Sequence, residues 1–291
     1  MTRLVLGTAQ FGAAYGVTNA IGRLSDDDVT GLLSSAAECG IDTFDTAADY
    51  GDSQTRLGAL APAARRYITK FSLPESGARI DAAELFGRSA ETLHVDRLAG
   101  VMFHKIADLG DARAAATVEV LREARSNGLV ERIGVSIYDS DDLELALSVF
   151  ADLDLVQLPG NLIDGRLINS AAITGLRAGG AEIHVRSALL QGILLAEPVG
   201  LPDFFAPLAP VLETLRADAA AQGTTVLGLA LRYLRDHRNV DGVVVGATTT
   251  SELAAIVDEW ALEGAPQPGL GADLPDELLD PRRWPKVTVT G

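Results

Sequence analysis

The sequence has little that would support a disulfide, a metal cluster or a nucleic-acid interface. Cys39 is the single cysteine in 291 residues, so no intramolecular disulfide and no cysteine-based metal site can form. Aromatic residues make up 5% of the chain and the formal net charge is −16, which leaves no stacking platform for single strands and repels nucleic acids. No H-E-x-x-H, paired-cysteine or EF-hand pattern occurs, and we predict no metal.

The sequence also lacks a recognisable targeting or membrane-spanning segment. Its beginning enters an apolar strand without the basic region and long apolar run of a secretory signal. No apolar stretch approaches the roughly 20 residues that a membrane crossing needs. We therefore expect a cytoplasmic protein with no membrane partner. Cys39 falls on the apolar face of a predicted helix, so we expect a buried structural thiol and not a nucleophile.

Apolar material, by contrast, is plentiful. The chain is 47% hydrophobic and 22% charged, which is enough for a large core and argues against disorder. Its length suits a single α/β barrel of about 250 residues. We find no composition shift that marks a boundary, and we predict one domain over residues 1–291.

Short apolar or β-branched runs alternate with segments of helical spacing. The runs have strand length, and several are continuously apolar, as in parallel sheets. The predicted strands are Leu4–Thr8, Asp42–Thr46, Tyr67–Phe71, Ala99–His104, Arg132–Ile137, Leu153–Leu158, Glu182–Ser187 and Gly242–Ala247. A first helix follows the N-cap Ser25 and ends at Gly40. The later predicted helices are Asp81–His94, Ala112–Asn127, Ser140–Phe150, Ile163–Ala178, Leu208–Ala221 and Val226–His237.

About eight strand–helix units imply parallel strands joined by crossover helices. A doubly wound dinucleotide-binding sheet usually carries G-x-G-x-x-G after its first strand, and residues 7–12, Gly-Thr-Ala-Gln-Phe-Gly, lack that spacing. We therefore predict an α/β fold, a (β/α)₈ TIM barrel. Two helical patterns in residues 206–238 indicate one extra helix before the last strand. A short C-terminal extension comes after that strand, with a helix at Asp276–Leu279.

Four polar side chains fall where a barrel brings strand ends together. Asp45 lies near the end of the second run and Tyr50 in the loop after it, while Lys70 and His104 end the next two runs. Barrel enzymes carry their reacting groups at these ends, about 4.8 Å apart, so we expect convergence in one pocket. A charged lysine favours a phenolate and lowers the tyrosine pKa, and Asp45 can hold that lysine. The group suits proton donation to a carbonyl.

At these residues the sequence resembles the aldo-keto reductases, and the resemblance covers nearly the whole chain. Its specific part is the F-D-T-A-x-x-Y-G motif at residues 44–51 with the spaced Lys70 and His104. The resemblance implies NAD(P)H-dependent interconversion of an aldehyde or ketone with its alcohol, so that the partner is a small-molecule carbonyl or alcohol. It also implies that Tyr50 is the general acid/base, that Lys70 and Asp45 tune it, and that His104 orients the carbonyl.

The resemblance further implies where a cofactor binds. Ser136 and Gln157 match positions that hold the nicotinamide carboxamide, whereas Ile137 stands in place of an asparagine. Arg186 occupies the position of a residue that stacks on the nicotinamide ring, and a planar guanidinium can stack in its place. The full predicted set is Gly7, Thr8, Ser136, Gln157, Arg186, Ser187, Gly246, Thr248 and Glu252.

The loop at residues 246–252 leaves the choice of cofactor open. The family usually uses NADP(H), and its NADP-dependent members carry cations in this loop for the 2′-phosphate. Here the loop has no cation, and Glu252 lies near the expected arginine position. A glutamate would repel a phosphate and could bind a free ribose hydroxyl, which points to NAD(H). The threonine-rich start of the next helix can still offer backbone N–H groups to a phosphate.

Two other functions stay open at this point. The chain could be a cofactor-binding regulatory subunit, or an enzyme that uses the same tyrosine, lysine and histidine for non-redox acid–base chemistry. Other polar residues have ordinary interpretations. We expect solvated positions for His94, His237, Arg232, Arg235 and Arg238, a place in the barrel wall for His184, and structural or solvated roles for Asp42 and Asp49. Trp260 and Trp284 are either core anchors or pocket lining.

Overall fold

A closed barrel of eight parallel strands forms the centre of the molecule. The computed structural model describes residues 2–61, 65–73, 83–264 and 274–285. Each strand pairs with the next, and the first pairs with the last. The strands are β1 Arg3–Gly7, β2 Thr43–Asp45, β3 Arg66–Phe71, β4 Gly100–Phe103, β5 Ile133–Ser136, β6 Leu155–Pro159, β7 Glu182–Arg186 and β8 Gly242–Val245. Each overlaps a predicted run, and the (β/α)₈ barrel is confirmed.

Helices surround this barrel. They are α1 Ala9–Gly12, α2 Asp26–Glu38, α3 Ser53–Leu60, α4 Arg88–Thr92, α5 Ala114–Ser126, α6 Ser140–Val149, α7 Ala171–Ala178, α8 Ala209–Ala221, α9 Val226–Arg235, α10 Thr250–Ala261 and α11 Asp276–Leu279. Short 3₁₀ helices lie at Ile106–Gly110, Leu190–Leu195, Asp203–Leu208 and Pro281–Arg283. Both α8 and α9 lie between β7 and β8, so the extra helix is confirmed. No helix in the described ranges has the length and apolar character that a membrane crossing needs.

The helix predicted at Ile163–Ala178 is half the expected length. It begins only at Ala171, because Ser170 is in extended conformation and its hydroxyl caps the first turn. Upstream, the Asn161 side chain accepts hydrogen bonds from two following N–H groups and holds a turn. The Asn161 side chain therefore binds backbone N–H groups that a helix would otherwise use, and the turn forms although the apolar residues have helical spacing.

The helical region after β3 also differs from the prediction. Residues 81–82 of the predicted helix lie outside the described residues. The next residues, Ala83–Gly87, form a π-helix that continues into α4. The helices α1 and α3 were not predicted, since each is short and α1 has only four residues.

The main core lies between the outer face of the strands and the inner faces of the helices. It includes the fully buried side chains Leu6, Phe44, Val101, Val135, Ile183, Leu32, Leu121 and Leu253. Inside the barrel, Ile68, Met102 and Leu155 form a separate small cluster below the polar residues. This layered filling makes the barrel interior a packed core, so chemistry is confined to its mouth.

Residues 274–285, here called the C-terminal segment, pack on a second apolar cluster near α8 and α9. The Trp284 ring lies 4.8 Å from the Phe205 ring at 83°, and its indole nitrogen donates to the carbonyl of Leu278. Trp284 is therefore a core anchor. Trp260 is half-buried against the main core. The segment is thus attached to the barrel by side-chain packing.

Two expectations about single side chains are wrong. Cys39 is exposed, because α2 ends one residue earlier and the thiol lies beyond the helix's apolar face. Arg232 is buried and not solvated, since its guanidinium donates to the carbonyl of Gly228 at 3.1 Å and to that of Glu263 at 3.3 Å. Among the described residues, these hydrogen bonds to carbonyl groups hold the guanidinium and no carboxylate forms an ion pair with it.

His184 lies in the barrel wall, as expected, and its burial changes its pKa. It is fully buried between Gln157 of β6 and Gly242 of β8. Among the described residues neither ring nitrogen has a hydrogen-bond partner, and Glu182 Oε2 lies 3.9 Å from Nε2. Burial lowers the pKa of His184 to about 4. The imidazole is therefore neutral in the folded protein down to moderately acid pH.

This burial predicts a specific loss of stability in acid. Below pH 6.5 His184 becomes protonated in the unfolded chain but stays neutral in the folded protein. The free energy of unfolding therefore falls as the pH falls. The loss ends near pH 4 and amounts to about 3 kcal/mol. Denaturant unfolding at pH 7.5 and 4.5 should show it for the wild type and much less for His184→Gln. His94→Gln is the control, since His94 is exposed; equal pH dependence in all three proteins would contradict the prediction.

Candidate active site

Four predicted catalytic residues meet at the carboxyl-end mouth of the barrel. Asp45 is the last residue of β2, Lys70 lies in β3, and His104 directly follows β4. Tyr50 lies in the loop between β2 and α3. The register aligns Asp45 with Ile68, two residues before Lys70, so both side chains point into the barrel. The four side chains therefore converge at the mouth, as predicted, and two of them, Asp45 and Tyr50, line a cavity there.

Lys70 is at the centre of this group. Its side chain is 1% exposed, and Nζ lies 2.5 Å from Asp45 Oδ1 and 3.4 Å from Tyr50 Oη. It also donates to the carbonyl of Thr46 at 3.3 Å. The second oxygen of Asp45 accepts a hydrogen bond of 2.7 Å from Gln157 Nε2. The ammonium and the carboxylate are thus both satisfied in a buried setting, as such a pair requires.

Glycines on two loops allow the backbone of Tyr50 to reach this position. A Cβ on Gly12 would lie 1.8 Å from the carbonyl oxygen of Tyr50, and one on Gly51 would lie 2.5 Å from the carbonyl oxygen of Gly12. Gly51 also has a positive φ of 57°, which side chains disfavour. The Tyr-Gly pair of the motif therefore has a steric cause: the loop after β1 packs directly on the loop that carries Tyr50.

The pKa of Tyr50 departs from our expectation. We expected Lys70 to lower it, but burial raises the pKa of Tyr50 above its ordinary value, and the nearby Asp45 carboxylate raises it further. The Lys70 charge, which is paired with Asp45 in this state, does not offset that rise. The cation of Arg186 opposes the rise in part. Tyr50 therefore holds its proton at neutral pH and is a proton donor before it is a base.

His104 lies beside Tyr50 and has a partner that we did not expect. Its ring is 5.6 Å from the Tyr50 ring at 82°. Asp49 Oδ2 is 3.3 Å from His104 Nδ1 and accepts a hydrogen bond of 2.7 Å from Ser72. Asp49 therefore contacts the site and is more than a solvated loop residue. Burial and the Lys70 charge lower the pKa of His104, so the imidazole is neutral at pH 7.

A cavity of about 430 Å³ extends from Tyr50 along the ends of β7, β8 and β1. This volume is in the range of small-molecule sites, about 300–1,000 Å³. Eight of the predicted cofactor positions line it, namely Gly7, Thr8, Gln157, Arg186, Ser187, Gly246, Thr248 and Glu252. Ser136 does not line it; its side chain is buried at the end of β5. Gln157 has its amide nitrogen on Asp45, which leaves its carbonyl oxygen for a ligand.

Two loop segments of the cavity wall were missed in the sequence. They supply Tyr15, Thr18, Asn19, Ile21, Leu189, Gln191 and Leu195. Thr18 Oγ1 donates to the carbonyl of Gln191 at 3.1 Å, so the two segments meet. Ser187, Leu190 and Gln191 have positive φ values of 58°, 49° and 52°. Strained backbone of this kind at non-glycine residues is typical of ligand-binding segments. No sequence pattern predicts it.

Arg186 does not point freely into the cavity. Its guanidinium carbon lies 3.8 Å from the centroid of the Tyr138 ring, and Nη2 donates to the carbonyl of Ile137 at 2.9 Å. The residue at the expected asparagine position therefore contributes its backbone oxygen. Arg186 retains one guanidinium face and further N–H groups for a ligand.

The loop after β8 is arranged around Glu252. Its carboxylate accepts hydrogen bonds from the N–H of Thr248 at 2.7 Å and from the Thr248 hydroxyl at 2.9 Å. Thr249 caps α10 by accepting from the N–H of Glu252. An N–H group that could bind an anion at the start of α10 is therefore already paired with a carboxylate.

Comparisons with known proteins identify the family of this chain. A profile of the aldo/keto reductase family matches residues 3–265. The chain is similar to a D-threo-aldose 1-dehydrogenase of Pseudomonas sp, with 28% identity over 96% of this chain and 96% of that protein. It is also similar to an L-galactose dehydrogenase of Arabidopsis thaliana, with 25% identity over 98% of this chain and 95% of that protein.

Solved structures show the same fold. An aldo-keto reductase from Bacillus halodurans has a TM-score of 0.69 and 18% identity, covering 89% of this chain and 87% of that one. A glycerol dehydrogenase from Gluconobacter oxydans has a TM-score of 0.68 and 21% identity, covering 94% and 88%. Because the family profile matches nearly the whole chain, we conclude that this protein is an oxidoreductase of the aldo/keto reductase family.

Proposed function

We propose that this enzyme interconverts an alcohol and its carbonyl compound with a nicotinamide cofactor, and that Tyr50 transfers the proton. The observation that carries the proposal is the chain of contacts from Asp45 through Lys70 to Tyr50, 2.5 Å and 3.4 Å long, at the edge of the cavity. The arrangement offers a proton and a buried cation to one oxygen atom. It offers no activated serine or cysteine for covalent catalysis among the described residues.

The protein's own groups divide the work. A bound nicotinamide would supply the hydride in reduction and take it in oxidation. Tyr50 donates its proton to the carbonyl oxygen as negative charge develops there, and Lys70 stabilises the phenolate that remains. Asp45 keeps the lysine charged and in place. In alcohol oxidation the same groups act in reverse: Tyr50 first releases its proton to solvent, and the phenolate then takes the hydroxyl proton of the alcohol.

The cavity residues fit a nicotinamide dinucleotide. Arg186 supplies a cation without an ion-pair partner among the described residues, and Gln157 supplies an amide oxygen near Tyr50. At the other end, Leu227, Ala255 and Ile256 supply apolar surface for a base. These residues would hold the nicotinamide end beside Tyr50 and the adenosine end beside α10.

Within this site we assign a preference for NAD(H) over NADP(H). The carboxylate of Glu252 lies at the adenosine end and already occupies the Thr248 N–H. It would repel a 2′-phosphate and can accept a hydrogen bond from a free ribose hydroxyl. In the described part of the chain, no lysine lines this cavity and its one arginine lies at the end of β7.

For the substrate we propose an aldose, that is, a sugar with several hydroxyl groups. Two relatives are named as sugar dehydrogenases. The residues around Tyr50 support this class, since His104 and Asp49 offer polar atoms beside it. A neutral imidazole and a carboxylate side by side can bind neighbouring hydroxyl groups.

Turnover with aldoses tests the function directly. We expect the wild type to reduce NAD⁺ with an aldose and to oxidise NADH with a reactive aldehyde, both followed by nicotinamide absorbance. Tight cofactor binding without turnover on any aldose, alcohol or carbonyl would favour a regulatory subunit. Failure to bind either cofactor would favour non-redox chemistry.

Glu252 can be tested in the same titrations. We expect Glu252→Gln to lower the ratio of the NADPH to the NADH dissociation constant by about tenfold, because it removes one negative charge near the phosphate. Glutamine can still accept from Thr248, so the helix start should persist. Glu277→Gln, on the exposed face of α11, is the control for net charge. An unchanged ratio in Glu252→Gln would refute the preference.

A further inference from the structure

Three side chains from distant parts of the chain form a stack beside the cavity. The guanidinium carbon of Arg186 lies 3.8 Å from the Tyr138 ring centroid, and that of Arg282 lies 4.0 Å from the same centroid. One ring face has room for one guanidinium plane at this distance, so the two arginines cover opposite faces. Each contact is a cation–π interaction of close geometry.

The cavity end of this stack depends on Tyr138. Arg186 lines the cavity and, within the described ranges, forms no ion pair. Its orientation rests on the 2.9 Å hydrogen bond to the Ile137 carbonyl and on the Tyr138 ring. A long side chain held by so few contacts would otherwise sample several rotamers.

The outer end of the stack belongs to the C-terminal segment. Arg282 is bonded to Asp280 at 2.8 Å and to Asp139 at 3.0 Å, and it lies 3.7 Å from Asp142. Asp142 also accepts from the N–H of Tyr138 at 2.7 Å. The carboxylates neutralise Arg282, so two guanidinium groups can share one ring without net repulsion.

We propose that Tyr138 and Arg282 are positioning residues for the cofactor, because they fix the plane of Arg186 against which the nicotinamide end packs. This inference rests on the proposed function. Pre-ordering Arg186 removes an entropy cost that binding would otherwise carry. The C-terminal segment, though outside the barrel, thereby contributes to cofactor affinity through one arginine.

Cofactor titration without substrate tests the proposal. We expect Tyr138→Leu to raise the NADH dissociation constant by about tenfold and Arg282→Gln by about threefold, within the range of cation–π losses. Tyr138→Phe keeps the ring and should bind as the wild type does. Arg283→Gln is the matched control, since the neighbouring Arg283 is exposed and lies outside the stack.

A double-mutant cycle separates positioning from simple anchoring. Arg282 acts through the ring, so Arg282→Gln should cost nothing further in a Tyr138→Leu background. Equal losses in both backgrounds would mean that Arg282 only anchors the segment, and would overturn the proposal. So would wild-type affinity in Tyr138→Leu. The failure of the proposed function looks different: in that case the wild type binds neither NADH nor NADPH. If the wild type binds a cofactor but the variants behave as in either contradicting result, only the positioning proposal fails.

Discussion

Replacing Tyr50 with phenylalanine should lower kcat for carbonyl reduction by about 1,000-fold, within the range of about 10²–10⁴ that general acids contribute. The variant keeps the ring that packs 5.6 Å from His104 and loses only the oxygen that contacts Lys70. The buried phenol holds its proton because burial raises the pKa of Tyr50. Its loss removes the group that we assign as the proton donor to the carbonyl oxygen.

Cofactor titration and turnover together would check this result. The NADH dissociation constant should stay within about twofold, since the substituted oxygen acts only in the transition state. Tyr15→Phe is the matched control, because Tyr15 lines the same cavity and is 46% exposed. Full turnover in Tyr50→Phe would show that another group donates the proton.

Replacing Asp45 with asparagine should lower the free energy of unfolding by about 3–5 kcal/mol at pH 7, because it leaves the Lys70 charge buried and unpaired. Lys70 is 1% exposed and has no second carboxylate partner among the described residues. Burial lowers the pKa of Lys70. Asp45 opposes that lowering, so the Lys70 pKa should be lower still in the folded variant. The unfolded variant then holds a proton on Lys70 that the folded variant releases, and this difference shrinks as the pH rises toward the ordinary lysine pKa. The loss of stability should therefore be smaller at pH 9 than at pH 7.

Denaturant unfolding of three variants separates the pair from its surroundings. Asp49→Asn, in the loop that follows Asp45 and with a side chain 44% exposed, should change stability by less than about 1 kcal/mol. The double variant Asp45→Asn/Lys70→Met should recover most of the lost stability, since no buried charge remains. It should still lack activity. If Asp45→Asn alone is as stable as the wild type, the ion pair is not the buried charge pair inferred here.

Strand ends explain why so much of the site was predictable. Parallel strands of a closed barrel all point the same way, so a residue's place at the end of an apolar run already determines its place at the mouth. Asp45, Tyr50, Lys70 and His104 were predicted on that ground, and the family motif then implied a role for each. The glycine of the motif also has a local cause, since Gly51 takes a positive φ.

The wrong predictions share a different cause. Asp49 is exposed, as expected, but its partners could not be predicted, because Ser72 and His104 follow two other strands. Arg232 was placed in solvent because helical periodicity does not show that the carbonyl of Glu263 comes within 3.3 Å. The expected fall in the Tyr50 pKa assumed an uncompensated lysine. In each case the deciding partner is remote in sequence.

By itself, the sequence determined the barrel, its strand order and the identity of the mouth residues, because apolar periodicity and strand polarity are local properties that repeat along the chain. Only the tertiary structure decided how these residues are charged and held. Burial raises the pKa of Tyr50, Glu252 turns inward to Thr248, and Tyr138 receives an arginine on each face. Those outcomes depend on desolvation and on distances between segments far apart in sequence, and no local pattern encodes either.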